Sequence, residues 1–430
     1  MSEHTASWYA ATATDQQQWP PLQESLDTQI CVLGGGFTGV NTALELAERG
    51  FKVVLLEAHR IGWGASGRNG GELIRGIGHG LEQFSRQIGQ EGIRRFKQMG
   101  FEAVDIVKER IQRFDIACDY RPGYADLATR PSHMRALEED LQDLQAMNYP
   151  HPLKLLDAAE LKNQVVNSEF YVGGLVDEGS GHLHPLNLVL GEAKAAADLG
   201  VQIYEQSAVV KIHKGERPSV ETALGSVVCD RLVIAANGYL NPDLEPWLGG
   251  KLLPAGSYIL VTEPLDSTQV QALMSGGHAV ADLRVELDYY RFTPDNRLLF
   301  GGLCTYSGKD LNNPSQQLLP HLHQVFPQLG DVKVAYQWGG MLGIGANRLP
   351  QVGCLPDCPS IYFAQAYAGH GLNASHMTAR VLAEAFSGDT ARYDLFASVQ
   401  HMTFPGGKWL RSPLLAAGMA WYRLKENLKN

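Results

Sequence analysis

Three glycines, Gly34, Gly36 and Gly39, stand in the spacing G-x-G-x-x-G within "ICVLGGGFTGVNTALELAERGFKVVLLEAHR". In that spacing the first glycine allows a tight turn, the second lets backbone approach a pyrophosphate, and the third lets a helix pack closely on a strand. The chemistry this permits is anion binding by main-chain N–H groups at a helix N-terminus. Glu57 follows roughly 20 residues after the last glycine, where a carboxylate accepts hydrogen bonds from ribose hydroxyls. The set points to a dinucleotide, and by itself leaves nicotinamide and flavin equally open.

Directly after Glu57 comes "AHRIGWGASGRNGGELI", where Gly62, Gly64, Gly67, Gly70 and Gly71 crowd around Ser66, Arg68 and Asn69. So few Cβ atoms suit backbone running along a flat ligand with its N–H groups available. A third group lies in "ELDYYRFTPDNRLLFGG". Strand alternation puts Tyr289 and Arg291 on one face and Tyr290 and Phe292 on the other. An arginine there could grip a substrate carboxylate with two hydrogen bonds, and Tyr290 could orient an amine.

The elements that must position these residues read as follows. Ile30 to Leu33 is an apolar run suited to a strand buried on both faces of a parallel sheet. Val40, Ala43, Leu44, Leu46 and Ala47 continue as a helix that Gly50 ends, and residues 53–56 form a second buried strand. From about Leu81 to Leu161 the pattern turns mostly helical. A strand, a turn and a helix starting near Pro185 come next, followed by a small antiparallel excursion in "VQIYEQSAVVKIHKG" and "SVETALGSVVCDRLVIAANG". Residues 252–338 alternate β-rich and polar segments. Then "SIYFAQAYAGHGLNASHMTARVLAEAFSG" repeats the opening design of strand, glycine-bearing turn and helix. Two such units at opposite ends of the chain require a discontinuous cofactor domain with a second domain inserted. An NAD dehydrogenase usually completes its site within one contiguous run of βαβ units, which the stretch after residue 80 interrupts here.

"LGGGFTGVNTALELAERG", "VVLLEA", "GWGASGRNGG", "LVIAANGY" and "YAGHGLN" together resemble the FAD-dependent amine and amino-acid oxidases of the D-amino-acid oxidase and sarcosine oxidase type. Within that group the whole chain is most similar to bacterial γ-glutamylputrescine oxidases. The resemblance implies that Gly34, Gly36, Phe37, Thr38 and Gly39 lie at the pyrophosphate and that Glu57 and Ala58 lie at the adenosine ribose. It places Gly64, Ala65, Ser66, Arg68, Asn69, Gly70 and Gly71 along the ribityl chain and isoalloxazine. Val209 then supplies main-chain contacts to adenine, and Ala236 and Gly238 lie near the pyrophosphate. Gly369, His370, Gly371 and Leu372 open the last helix and aim N–H groups at the flavin edge that becomes negative on reduction. Some relatives tether the flavin through a cysteine in the late strand or a histidine in the second motif. Here "QWGGMLGIGANRLPQVG" has no cysteine, no histidine lies between Gly64 and Gly71, and Cys304 does not match the tethering position. Non-covalent FAD is expected.

The expected architecture is therefore α/β. A discontinuous Rossmann-like FAD-binding domain of the glutathione-reductase-like kind comes from residues 28–78, 181–245 and 336–395. An inserted α+β substrate domain containing a mixed β-sheet comes from 79–180 and 246–335, with an N-terminal extension over 1–27 and a docked C-terminal segment over 396–430. The implied activity is oxidation of an amine or amino-acid C–N bond to an imine that water hydrolyses, with oxygen reduced to peroxide and γ-glutamylputrescine the leading substrate. The alternatives are a cyclic secondary amino acid such as L-pipecolate, or a flavin subunit that hands electrons to a partner or quinone. Tyr290, Arg291, Trp338 and His370 are the substrate-pocket candidates, and no Ser-His-Asp or paired-carboxylate pattern demands a general base.

Composition narrows the partners. The 430 residues are 44% hydrophobic and 19% charged, with a formal net charge of −10. That balance, without a basic stripe, argues against nucleic acid. The N-terminus lacks signal-peptide order, and no apolar run approaches the ~20 residues of a membrane span, so a cytoplasmic protein acting on a small molecule is expected. The six cysteines are scattered, as for reduced thiols. Cys354 and Cys358 lack a second ligand pair at zinc spacing, and His182, His184, His321 and His323 read as solvated or helix-capping, so no metal is expected. The tail carries Lys408, Arg411, Arg423, Lys425 and Lys429 among apolar residues. Pro413 and Gly418 break any long amphipathic face, which favours docking on the core over contact with a membrane surface.

Overall fold

The computed structural model describes residues 3–15, 17–306 and 311–404. The apolar runs read as buried strands do lie side by side. Ser25–Leu33 is flanked in parallel by Val53–Leu56 and Ser226–Ile234, and Cys358–Gln365 runs parallel on the far side of Ser226–Ile234. Gln202–Tyr204 extends one edge in parallel and Gln351–Leu355 the other edge in antiparallel. Lys211–His213 and Ser219–Glu221 form the expected antiparallel excursion beside Ser226–Ile234.

Helices Phe37–Glu48, Pro185–Asp198 and Gly371–Phe386 are joined by polar groups inside an otherwise apolar cluster. Glu192, fully buried, takes a hydrogen bond from Asn41 (2.8 Å) and pairs with His376 Nε2 (2.6 Å). Leaving any one of these groups alone in a low-dielectric interior is costly, so the network fixes how the three helices meet. His184 caps the Pro185–Asp198 helix by accepting from Asn187 N–H (3.1 Å).

A second sheet runs Val334–Gly345, Leu252–Thr262, Leu298–Thr305, Tyr289–Phe292, Ala279–Asp282, Arg121–Ala128, Gly173–His182 and Glu72–Leu73, with Leu153–Asp157 paired to Gly173–His182. Only Ala279–Asp282 with Arg121–Ala128 is parallel among its described pairs, so the sheet is mixed. The α/β class with a Rossmann-like cofactor sheet and a mixed substrate sheet is borne out.

Three boundaries move. Glu72–Leu73 and Val334–Gly345, expected in whole or in part on the cofactor side, are strands of the second sheet, because each finds its hydrogen-bonding edge there. The Ser85–Arg113 helix, expected in the substrate domain, buries Phe96, Met99, Ala103 and Val107 in the cofactor-side cluster. Buried Glu45 fastens it there by pairing with Arg110 (2.6 Å) and with Arg380 (3.0 Å) of the last long helix. The stretch read as mostly helical also contains the strands Arg121–Ala128 and Leu153–Asp157, whose alternation is hidden between two long amphipathic helices. In the N-terminal extension the short helix Trp8–Thr12, capped by Ser7, buries Trp8 and Tyr9. The expected C-terminal segment begins inside the helix Ala391–Ala397, and its basic tail lies outside the described residues. No described helix is long and apolar enough to cross a membrane.

Candidate functional site

A single continuous cavity of about 1690 Å³ opens between the ends of the parallel strands and the second sheet. It exceeds the ~300–1,000 Å³ of a small-molecule site and suits a dinucleotide with a substrate beside it. Its cofactor-side wall is largely backbone. Gly34 has φ +114°, and a Cβ there would sit 2.8 Å from Ala235 O. Gly36 is the N-cap of the Phe37–Glu48 helix and Phe37 and Thr38 open its first turn, so the positive end of the helix dipole faces the cavity. Gly39 does not line the cavity. A Cβ there would overlap Gly34 O, so this glycine lets the helix close on the strand.

Glu57 ends Val53–Leu56 and accepts from Gly35 N–H (2.6 Å) and His59 N–H (2.8 Å). Burial pushes its carboxyl up, and the backbone donors pull it back. With two oxygens it keeps lone pairs for a ribose hydroxyl in the cavity.

The second glycine motif is braced by its own side chains. Ser66 Oγ accepts from Phe37 N–H (2.9 Å), locking the loop across the first helix. Asn69 donates to Ala65 O and Ser66 O and accepts from Gly71 N–H. Arg68 donates to Trp63 O (2.7 Å) and lies over the Trp63 ring. These bonds fix the course of the loop's backbone along the cavity. Residues 64–66 and 68–70 line the cavity, as do Ala58, Val209, Ala236 and residues 369–372, whereas Gly71 and Gly238 lie just outside it.

At the far end the chain turns sharply into the Gly371–Phe386 helix. Asn237, Leu303, Arg348 and Ala368 line the cavity with left-handed backbone, a conformation costing about 1–3 kcal/mol each that clusters at functional sites. Ala368 N–H bonds to Gly343 O (2.9 Å) and Asn237 Oδ1 accepts from Ala366 N–H (2.9 Å), which holds the turn open to the cavity. The hydroxyls of Thr38, Tyr367 and Thr378 form a chain (2.8 and 2.9 Å) that ties this turn to the first one. His370 and His79 meet edge to face, their ring centroids 5.8 Å apart. Burial pushes His370 down to about 4 and His79 to about 3, the latter assisted by His370 and Arg348. Both imidazoles are neutral at pH 7, so the positive potential at this helix start comes from its N–H groups and from Arg75 and Arg348.

Three of the four substrate-pocket candidates are displaced. Tyr290 is wholly buried, stacked on Phe300 with its hydroxyl donating to Tyr171 (3.1 Å), while Tyr289 on the opposite face lines the cavity. Arg291, 2% exposed, donates to Gly70 O (2.8 Å), Leu183 O (2.9 Å) and Tyr9 OH (3.2 Å). It fastens the glycine loop to the second sheet and the N-terminal helix, and no substrate carboxylate reaches it. Trp338 is buried as well and donates to Arg68 O (2.9 Å). Only His370 reaches the cavity.

The substrate-side wall instead presents Tyr289, which alternation had placed on the face of Arg291, together with Glu72, Arg75, Tyr124 and Asp126, which the sequence did not single out. Arg75 pairs with Asp126 (3.5 Å), Asp140 (2.5 Å) and Asp177 (3.0 Å). Tyr124 donates to Asp126 (3.2 Å), and burial leads in raising the Asp126 carboxyl to about 6, Arg75 opposing it. Tyr124 sits on a strand separated from that of Tyr289 by Ala279–Asp282, where alternation along Arg121–Ala128 could have found it. The acids come from separate strands and helices with no shared spacing.

The wall geometry fits FAD: a glycine turn without room for a Cβ, an acid at the end of the next strand, and two helix N-termini facing one cavity. The model of the FAD dependent oxidoreductase (DAO) family matches residues 29–385. The chain is 41% identical over 428 residues to the Gamma-glutamylputrescine oxidoreductase of Escherichia coli K12, covering all of both chains. It is 38% identical over 432 residues to the Probable oxidoreductase OrdL of Haemophilus influenzae, covering 99% of this chain and 98% of that one. Among solved structures, glycine oxidase from Geobacillus kaustophilus superposes with a TM-score of 0.69 at 19% identity, over 84% of this chain and 94% of that one.

Proposed function

The chain belongs to the FAD dependent oxidoreductase family and acts on C–N groups, and from that premise we propose that it oxidises the terminal amine of γ-glutamylputrescine in the cytoplasm. The observation that carries this reading is the 41% identity spanning both full chains. The proposed reaction consumes one amine, one O2 and one water, and yields an aldehyde, ammonia and hydrogen peroxide. When bound, FAD supplies the two-electron acceptor for the hydride equivalent leaving the carbon beside nitrogen.

The protein supplies position and electrostatics. The turns at Gly36–Thr38 and Gly369–Leu372, which line the cavity at two helix starts, would hold the cofactor's charged groups, and Glu57 would hold the ribose. Neutral His370 and His79 place no competing cation beside an incoming ammonium. The FAD is held without a covalent bond.

The test is anaerobic mixing of the holoenzyme with γ-glutamylputrescine, putrescine, L-pipecolate and sarcosine, following loss of the visible flavin band. Fastest bleaching by γ-glutamylputrescine supports the reading, and bleaching by L-pipecolate alone overturns it in favour of a cyclic amino-acid oxidase. Peroxide released by the purified chain in air separates an oxidase from a subunit that needs a partner. Acid precipitation should leave a colourless pellet and a yellow supernatant.

A further inference from the structure

Glu72 enters the cavity one residue beyond the glycine loop, in the two-residue strand that pairs with Gly181 and His182. Its carboxylate and the Tyr289 ring cover Gly70 so closely that a methyl group there would strike both. Oε1 is shut off from solvent and has no hydrogen-bond partner among the described residues. That separates Glu72 from the other acids of this wall. Asp126 is held by Tyr124 and Arg75, and Asp282 by Arg284. Arg291 attracts the carboxylate, but its hydrogen bonds go to Gly70 O, Leu183 O and Tyr9, and no ion pair with Glu72 forms among the described residues.

A buried carboxylate oxygen without a donor is costly to the protein alone, and that cost is relieved by a ligand bringing N–H groups and positive charge. Burial pushes the Glu72 carboxyl up, and Arg291 and the residue's own backbone N–H pull it back only in part. Asp126, Asp140 and Asp177 outnumber the single Arg75 they surround, which adds negative potential to the same wall.

We propose that Glu72 is the receptor for a cationic nitrogen of the substrate, an alkylammonium whose N–H groups bond to its carboxylate, with Asp126 adding long-range attraction. The assignment deepens the amine-oxidising reading and rests on it for the identity of the natural ligand. Specificity for amines over alcohols and neutral amides then arises at one side chain beside the glycine loop.

Butylguanidinium is the probe: a permanent cation with N–H donors and no free nitrogen lone pair, so it binds without being oxidised. It is titrated into the holoenzyme and read by perturbation of the visible flavin band, with 1-butanol as the uncharged control. Glu72→Gln is expected to weaken butylguanidinium about ten- to hundred-fold, the effect of losing one charge-assisted hydrogen bond, and to leave 1-butanol unchanged. Retained FAD and an unaltered flavin spectrum establish that the variant is folded. Glu72→Asp, which keeps the charge and withdraws it by one methylene, should fall between the two and serves alone if the glutamine variant does not hold FAD.

Equal affinity for butylguanidinium in wild type and both variants overturns the proposal. So does an effect confined to FAD affinity, which would make Glu72 a cofactor contact. Glu72-dependent binding of butylguanidinium with no bleaching by any amine would sink the amine-oxidation reading and leave the cation site standing. Bleaching by amines at equal concentration dependence in wild type and Glu72→Gln would do the reverse.

Discussion

The two walls of the cavity are built from different materials. The cofactor-side wall is main chain: a glycine turn, two helix N-termini and a loop whose side chains brace the loop itself. The substrate-side wall is side chain, with Glu72, Arg75, Tyr124, Asp126 and Tyr289 projecting from three strands of a mixed sheet and the turn beside it. A wall of backbone tolerates no added atoms but accepts any ligand that presents the same phosphates. A wall of side chains repacks readily and decides which molecule enters.

That contrast can be broken by substitution. Gly39→Ala is expected to have the largest effect, because its Cβ has no space against Gly34 O and the clash is with backbone. Little or no FAD-loaded protein should be recovered, measured as the ratio of flavin to protein absorbance, and a normal ratio would mean the turn can relax. Arg291→Met comes next. It strands the carbonyls of Gly70 and Leu183 in the interior, at about 3 kcal/mol, and should lower Tm by about 3 °C. Flavin reduction by carboxylated and plain amines should be affected alike, whereas a selective loss with the carboxylated amine would return Arg291 to the substrate. Glu57→Gln should weaken FAD binding about ten- to hundred-fold, from loss of a charge-assisted hydrogen bond of about 1.5–3 kcal/mol, read by titrating the apoprotein. The smallest change is expected from Trp338→Phe, which deletes one hydrogen bond to Arg68 O, at about 1 kcal/mol of stability with FAD affinity unchanged.

How much of this was legible in the sequence follows the same division. Gly34, Gly36 and Glu57 could be read because a turn, a helix start and a strand end are contiguous, and their spacing is imposed by local geometry. Alternation separated the Tyr289 face from the Tyr290 face, but nothing local said which face met the cavity, and the core took Tyr290. Arg291 looked like a substrate ligand since an arginine is a carboxylate receptor in isolation. Its partners, Gly70 O and Leu183 O, lie more than a hundred residues away and exist only once the sheets are assembled. Glu72 was invisible for the same reason, as its significance lies in the absence of a partner. The domain boundaries failed where a strand's edge, rather than its own sequence, decides its sheet.

The order of strands in the parallel sheet has a consequence for synthesis. Ser25–Leu33 leaves the ribosome early, but its neighbour Ser226–Ile234 appears some two hundred residues later, and that strand waits in turn for Cys358–Gln365. The turn before Gly371–Phe386, which closes the cradle, emerges later still. A nascent chain therefore carries an open, apolar strand edge for most of its translation, at ~5–20 residues per second. The glycine turn at Gly34 is made first, and the turn facing it across the cavity is made last, so FAD capture is expected only near the end of synthesis. Chains cut short before Cys358 should be clients of holdase chaperones rather than half-loaded flavoproteins.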